Sequence, residues 1–291
     1  MEYPTSVNAL TETLLGAGYI PDRGLATALH VSLHLGRPLL LEGEVGVGKT
    51  EIAKTIASVF GKQLIRLQCY EGIDTNQALY EWDYARQLLH IRALSESQLV
   101  DPDSVDRLFG PRFLLERPLL AAVRAGSAAV LLIDEVDRAD DEFEAFLLEL
   151  LSDFQISIPE IGTVAAADPP VVILTSNRTR ELHDALKRRC MYHWIDYPQP
   201  EREMQVVLTR CPGVSAVLAG KVVAAVNRLR EMELAKPPGV AETIDWARTL
   251  EFLGETDLTE QGIVDTLGAV VKDRDDLDMV ERNLQDVLGH A

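Results

Sequence analysis

Short runs of consecutive apolar residues recur through the first two thirds of the chain, and the last third carries only helix-spaced apolar residues. A continuous apolar run bounded by turn residues predicts a strand buried on both faces. Recurrence at three and four residues predicts an amphipathic helix. By these rules strands are predicted at Arg37–Leu41, Gln63–Cys69, Val130–Asp134, Val171–Asn177 and His193–Tyr197. Helices are predicted at 6–15, 22–35, 51–60, 74–94, 117–125 and 179–190, with a further one starting at Asp140. In the second, Leu25, Leu29 and Leu33 share a face, with Asp22 placed to cap and Gly36 to stop it. Pro118 suits a first helical turn. Phe143, Phe146, Leu147, Leu150 and Leu151 form one stripe, with Asp140, Asp141 and Glu142 at its favourable N-terminal end. Phe154–Ile158 alternates and turns back through Pro159–Gly162, which reads as a small hairpin.

Strands alternating with helices predict an α/β fold with a parallel sheet. Pro198 and Pro200 mark a linker. Beyond it come helices only, near 201–210, 214–235, 241–253, 259–271 and 275–288. The expected domains are therefore 1–197 and 198–291. The interval between Lys49 and Asp134 exceeds what one helix and its connections need. It holds the helix at 74–94, a polar segment around Ser95–Asp106, and Phe109–Glu116 as one arm of a hairpin. An insertion of this size in a compact unit usually carries function.

Candidate chemistry begins at Gly43-Glu44-Val45-Gly46-Val47-Gly48-Lys49-Thr50, which matches G-x-x-x-x-G-K-[ST]. It has the required context, a predicted strand before it and a helix from Glu51 after it. Glycines let backbone N–H groups turn onto phosphates, and the helix N-terminus adds partial positive charge. Lys49 reaches β- and γ-phosphates and the Thr50 hydroxyl binds Mg²⁺ in this reading, so ATP and Mg²⁺ are expected. The strand Val130–Ile133 ends on Asp134 and Glu135. Beside a phosphate loop, Asp134 would hold Mg²⁺ through water and Glu135 would polarise the attacking water. Asn177, ending the next strand, would orient that water. Lys187, Arg188 and Arg189 suit a helix C-terminus, and an arginine among them could serve a neighbouring subunit's ATP. His30 and His34 are four apart without the glutamate of H-E-x-x-H, and read as structural.

Composition narrows the classes. The 291 residues are 47% apolar and 25% charged, enough for a sizeable core. Asp plus Glu number 46 against 28 Lys plus Arg, a formal charge of −18, which disfavours nucleic acid as a partner. Cys69, Cys190 and Cys211 share no metal-like spacing and read as reduced, buried thiols, which fits a cytoplasmic protein. The start lacks signal-peptide order, and no apolar run is long enough for a membrane span.

In this order the motifs resemble an AAA+ ATPase: phosphate loop, second strand, acid-ended strand, Asn-ended strand, a helix with arginines, then a helical lid. The insertion and the hairpin at 155–164 are similar to the helix-2 insert and pre-sensor hairpin of the MoxR family. Leu64–Gly72, Tyr80–Arg86 and Asp184–Cys190 further resemble the CoxD-type accessory ATPases of aerobic carbon monoxide dehydrogenase. The resemblance implies a three-layer αβα P-loop domain with a small helical lid. It also implies a hexameric ring with ATP between subunits, a von Willebrand A-domain partner and a metalloenzyme client. Gly43 to Thr50, with Glu51 following, then correspond to Walker A, Asp134 and Glu135 to Walker B, and Asn177 to sensor 1. Arg189 corresponds to the arginine finger, with Arg188 as second choice. The lid helix around Ala241–Arg248 has no arginine in its first turn, where the family places sensor 2, and Arg248 is the substitute at hand. Two other classes compete with a motor: a nucleotide-gated binding module with little turnover, and a DNA-directed relative such as a clamp-loader subunit.

Overall fold

The computed structural model describes residues 3–96 and 107–289. Most of the predicted polar segment Ser95–Asp106 lies outside the described residues. Two compact units form, each discontinuous in sequence. One comprises Met1–Pro4, Thr27–Glu42 and Ala53–His193; the other comprises Thr5–Ala26, Gly43–Ile52 and Trp194–Ala291.

The first unit is built on a five-stranded sheet. Its strands are β1 (Leu39–Gly43), β2 (Gln63–Gln68), β5 (Ala129–Asp134), β8 (Val171–Ser176) and β9 (Met191–Ile195), in spatial order β2-β5-β8-β1-β9. The β2–β5, β5–β8 and β8–β1 pairs are all parallel. Every residue of β5 is buried, as its unbroken apolar run requires. Ile65, Leu131, Ile133, Val172 and Leu174 from the sheet share a core with Leu119, Leu120 and Val123 of helix Pro118–Ala125 and with Phe143, Leu147 and Leu150 of helix Asp141–Asp153. Pro118 opens its helix at the first position, and the Asp140 carboxylate accepts the Phe143 N–H as an N-cap. Because the strands run parallel, Glu42, Asp134 and Ser176 share the carboxyl edge of the sheet, where ligands of open α/β sheets bind.

The insertion departs from the expected single helix over 74–94. Helix Thr75–Leu79 ends at β3 (Tyr80–Trp82), and a second helix, Tyr84–Glu96, follows. β3 pairs antiparallel with β4 (Leu114–Glu116), so Tyr80 lies opposite Glu116 and Trp82 opposite Leu114. Trp82 is buried with its ring edge-on to Phe109. That burial, together with the Asp83 N–H donated to the Phe113 carbonyl, outweighs helix continuation. The small hairpin expected at 155–164 is present as β6 (Gln155–Ile158) and β7 (Gly162–Ala165). Only Asp184–Arg189 of the expected 179–190 helix is helical. The Asp137 carboxylate accepts the Thr179 N–H and hydroxyl, and the Glu144 carboxylate accepts the His183 N–H, which holds the preceding stretch out of the helix.

In the second unit, helix Val7–Gly16 is capped by Ser6, and the Asp22 carboxylate accepts the Leu25 N–H at the start of helix Arg23–Leu35, as expected. The C-terminal helices are Pro200–Arg210, Ala216–Glu231, Val240–Phe252, Glu260–Val270, Arg274–Arg282 and Leu284–Leu288; the expected helix at 275–288 is thus broken at Asn283. Val222, Val226, Leu229, Trp246, Leu250, Ile263 and Leu267 form their core. Buried Trp246 donates its indole N–H to Thr266 at 2.7 Å. A buried ion pair sits in the same unit. The Arg230 guanidinium meets the Glu203 carboxylate at 2.7 and 2.8 Å, Thr243 donates to the same carboxylate at 2.6 Å, and Arg230 also donates to the Pro238 carbonyl at 2.8 Å. With Glu203 fully buried, removing one partner leaves an uncompensated charge. Arg230→Met is expected to cost about 3–5 kcal/mol in urea denaturation, against about 0–1 kcal/mol for an exposed pair.

Candidate functional site

Within the second unit, the glycine loop leaves the last residue of β1 and runs into helix Lys49–Val59. Gly43 has φ +154°, and a Cβ there would lie 2.1 Å from the Ile195 carbonyl oxygen, so only glycine permits this approach. Lys49 is buried. Its ammonium donates to the Gly43 carbonyl at 2.8 Å and the Glu44 carbonyl at 2.6 Å, which folds the side chain back over the loop. Glu51, in the first helical turn, is paired with Arg210 at 2.7 Å.

The loop packs on the first turn of helix Val240–Phe252. The Ala241 N–H donates to the Gly46 carbonyl at 3.2 Å. A Cβ on Gly239 would sit 2.6 Å from the Val45 oxygen and 2.8 Å from the Gly46 Cα. The Glu242 carboxylate accepts the Gly239 N–H at 2.9 Å and would lie 3.0 Å from a Cβ on Gly46. The charged side chain of this first turn is thus a carboxylate. Arg248 lies further along the helix, exposed, with its guanidinium on the Arg210 carbonyl at 3.0 Å.

Within the first unit, the acids of β5 are held from the neighbouring strands. The Thr175 hydroxyl, on β8, donates to Asp134 Oδ1 at 2.5 Å and accepts the Glu135 N–H at 2.9 Å. The Arg66 guanidinium, from β2, pairs with Asp134 Oδ2. Glu135 is in the left-handed region at φ +55°, ψ +49°, and its carboxylate meets Arg138 at 2.8 Å. Asp137 is buried and accepts the Asn177 N–H at 3.2 Å, the Thr179 N–H at 2.8 Å and the Thr179 hydroxyl at 2.7 Å. Glu42, also buried, accepts the Ser176 hydroxyl at 3.2 Å and the Tyr192 hydroxyl at 3.0 Å. Burial, with the nearby charges of Asp134, Asp137 and Glu135, pushes the Cys69 thiol up to about 12. It is an inert thiol beside the acids.

Asp134, Glu135 and Asn177 therefore gather at the ends of β5 and β8. The sequence reading missed Thr175, Asp137 and Glu42. The available signals were a charged residue closing an apolar strand at Glu42, and a second acid soon after Asp134 and Glu135. Arg188 and Arg189 are exposed, and the Arg37 guanidinium fixes their backbone by donating to the Arg188 carbonyl at 2.7 Å and the Arg189 carbonyl at 3.2 Å. The His30 and His34 rings are tilted at 48° with centroids 4.2 Å apart, and the His34 ring bonds the His30 carbonyl at 2.8 Å. Among the described residues no helix is long and apolar enough to cross a membrane.

Residues 38–190 match the AAA domain (dynein-related subfamily). The chain is similar to Protein CbbQ of Hydrogenophilus thermoluteolus, 28% identical over 75% of this chain and 73% of that one. It is similar also to Protein NorQ of Paracoccus denitrificans, 24% identical over 65% of this chain and 63% of that one, so it spans under two thirds of the NorQ length. Among solved structures, two variants of Thermotoga maritima RuvB have the same fold. One has TM-score 0.51 at 15% identity, over 95% of this chain and 76% of that one. The other has TM-score 0.51 at 16% identity, over 99% and 81%.

The Gly239 approach is testable by a single methyl group. Forcing an atom into a packed contact costs about 1–3 kcal/mol. Gly239→Ala is expected to weaken nucleotide binding by about tenfold, at 1.4 kcal/mol per factor of ten, read by titration of a fluorescent ADP analogue. An unchanged affinity would uncouple loop shape from helix Val240–Phe252.

Proposed function

We propose, for a chain that belongs to the dynein-related subfamily of AAA domains, an ATP-hydrolysing motor of the MoxR type that remodels a folded metalloenzyme. Family membership supports nucleotide binding and ATPase activity in general. The observation that carries hydrolysis to this chain is the pair at the end of β5, with Asp134 tethered in the sheet edge and Glu135 turned out of the strand in the left-handed region. In this reading residues 1–197 form the nucleotide-binding domain and 198–291 the lid. The loop Gly43 to Thr50, with Glu51, cradles the phosphates, and Lys49 neutralises the β- and γ-phosphates. Thr50 and Asp134 are the groups that would hold Mg²⁺, Asp134 through water. A hydroxyl and a carboxylate are the hard oxygen donors this ion takes, and Asp134 already holds a cationic partner in Arg66. Bound Mg²⁺ neutralises charge developing on the phosphate oxygens. Glu135 polarises the water, Asn177 orients it, and Arg189 (or Arg188) reaches the ATP of the next subunit in a hexameric ring.

The similarity to CbbQ and NorQ supports the MoxR-type assignment. The resemblance at Leu64–Gly72, Tyr80–Arg86 and Asp184–Cys190 supports a finer one: maturation of a molybdenum-containing carbon monoxide dehydrogenase, with a von Willebrand A-domain partner, in the cytoplasm. One observation favours a second reading. Glu242 occupies the lid-helix turn where the family places an arginine, which suits a nucleotide-gated binding module of low turnover.

Glu135→Gln separates the two. As a motor, this variant is expected to bind ATP normally and to lose hydrolysis by about 10²-fold or more, the weight of a general base. Turnover close to that of the unaltered protein would remove Glu135 from the mechanism. Tagged Glu135→Gln, held in ATP and Mg²⁺ in the native host, is expected to co-purify with a von Willebrand A-domain protein and a molybdenum hydroxylase subunit. A different metalloenzyme would change the client, and nucleic-acid-handling proteins would overturn it. If client maturation persists in cells carrying Glu135→Gln, the binding-module reading stands. Arg189→Ala is expected to abolish turnover, spare ATP binding and inhibit mixed rings. Full activity would shift the finger to Arg188.

A further inference from the structure

The hydroxyl of Thr175 touches the Asp134 carboxylate and the Glu135 backbone N–H, and nothing in the chemistry described so far uses it. Parallel pairing sets Ile133 opposite Leu174, which brings the next residue of each strand, Asp134 and Thr175, side by side. Thr175 is 1% exposed, so its hydroxyl has no water to turn to. A hydroxyl has one proton and two lone pairs. An ionised carboxylate can only accept, so the proton goes to Asp134 Oδ1. A lone pair is then left for the Glu135 N–H. One rotamer of one side chain satisfies both bonds. The Glu135 backbone needs this support, because a non-glycine residue at φ +55° persists only where its surroundings over-determine it. Oδ1 is held by the buried hydroxyl, and Oδ2 is held by Arg66, whose side chain is half exposed and so can exchange.

We propose that Thr175 is a positioning residue that locks Asp134 and Glu135 into one rigid pair. It presents Oδ2 of Asp134 for cation exchange and sets the direction of the Glu135 side chain. The inference rests on the ATPase reading, since it concerns how that site is held. Thr175 touches no reacting atom in this scheme and acts through the two acids. Valine matches its shape and supplies neither bond; serine supplies both.

The test compares the full chain carrying Thr175→Val, Thr175→Ala or Thr175→Ser with the unaltered protein. Mn²⁺ binding in the presence of ADP is read by electron paramagnetic resonance, alongside kcat and KM for ATP. Thr175→Val is expected to bind Mn²⁺ about 10–100-fold more weakly, the usual effect of losing a supporting bond to a metal-holding residue. Its kcat is expected to fall about tenfold or more, with KM changed less than about threefold, as for a group that acts on the transition state. Thr175→Ser is expected to restore both to within about threefold, because it keeps the hydroxyl. Should the valine protein not fold, alanine replaces it with the same expectations. Unchanged Mn²⁺ affinity and kcat in the valine or alanine protein would overturn the proposal, and so would a serine protein as impaired as these. If the unaltered protein fails to hydrolyse ATP, the ATPase reading falls and takes this inference with it. If it hydrolyses ATP and the valine protein matches it, only the positioning role falls.

Discussion

A carboxylate taken out of water must find donors, and much of this architecture answers that demand. Glu42, Asp134, Asp137 and Glu144 are buried in the first unit, and Glu203 and Asp276 in the second. Each is met by a hydroxyl, a guanidinium or backbone N–H groups. In the first unit the donors come largely from β8 and the stretch after it: Thr175 for Asp134, Ser176 for Glu42, Thr179 for Asp137, Arg180 and the His183 N–H for Glu144. The segment from Thr175 to His183 thus takes its path from acids on other elements. In the second unit Asp276 plays the same part by accepting the Ala235 and Lys236 N–H groups at 2.8 and 3.0 Å, which pins the turn before helix Val240–Phe252.

This division explains what was legible in the sequence. β5 and β8 were readable because four or more consecutive apolar residues admit few other fates in a chain that forms a core. Asp22, Asp140 and Pro118 were readable because capping is a local interaction. The glycine loop between β1 and helix Lys49–Val59 was readable because its glycines are needed for backbone reasons written in the motif itself. Tyr80–Trp82 was not readable, since its strand partner lies far along the chain at Leu114–Glu116. The helix at 179–190 was overestimated for the same reason. Its local propensity gives way to Asp137 and Glu144, whose positions only the folded sheet defines. Thr175 looked like an ordinary strand residue until the parallel register set it beside Asp134.

The contact between the glycine loop and helix Val240–Phe252 belongs to a different kind of constraint, one of space. Gly43 and Gly239 each sit where a methyl group would meet a backbone atom at under 3 Å. Such positions leave backbone closely packed against backbone. A change in the shape of Val45–Gly46 is therefore felt at the first turn of helix Val240–Phe252, through Ala241 and Glu242. Charge at that turn is negative, so electrostatics and packing act on the loop from the same few residues.

The short β3–β4 ladder has an evolutionary side. Pairing Tyr80 with Glu116 returns the chain to where it left, so the excursion closes on itself before it rejoins helix Pro118–Ala125. Changes of loop length cost free energy only slowly once the ends are fixed. The stretch enclosed by this ladder can therefore lengthen, shorten or be exchanged among relatives while the parallel sheet keeps its register. A lineage could acquire a new recognition surface there by grafting, without reinventing the chemistry at the carboxyl edge.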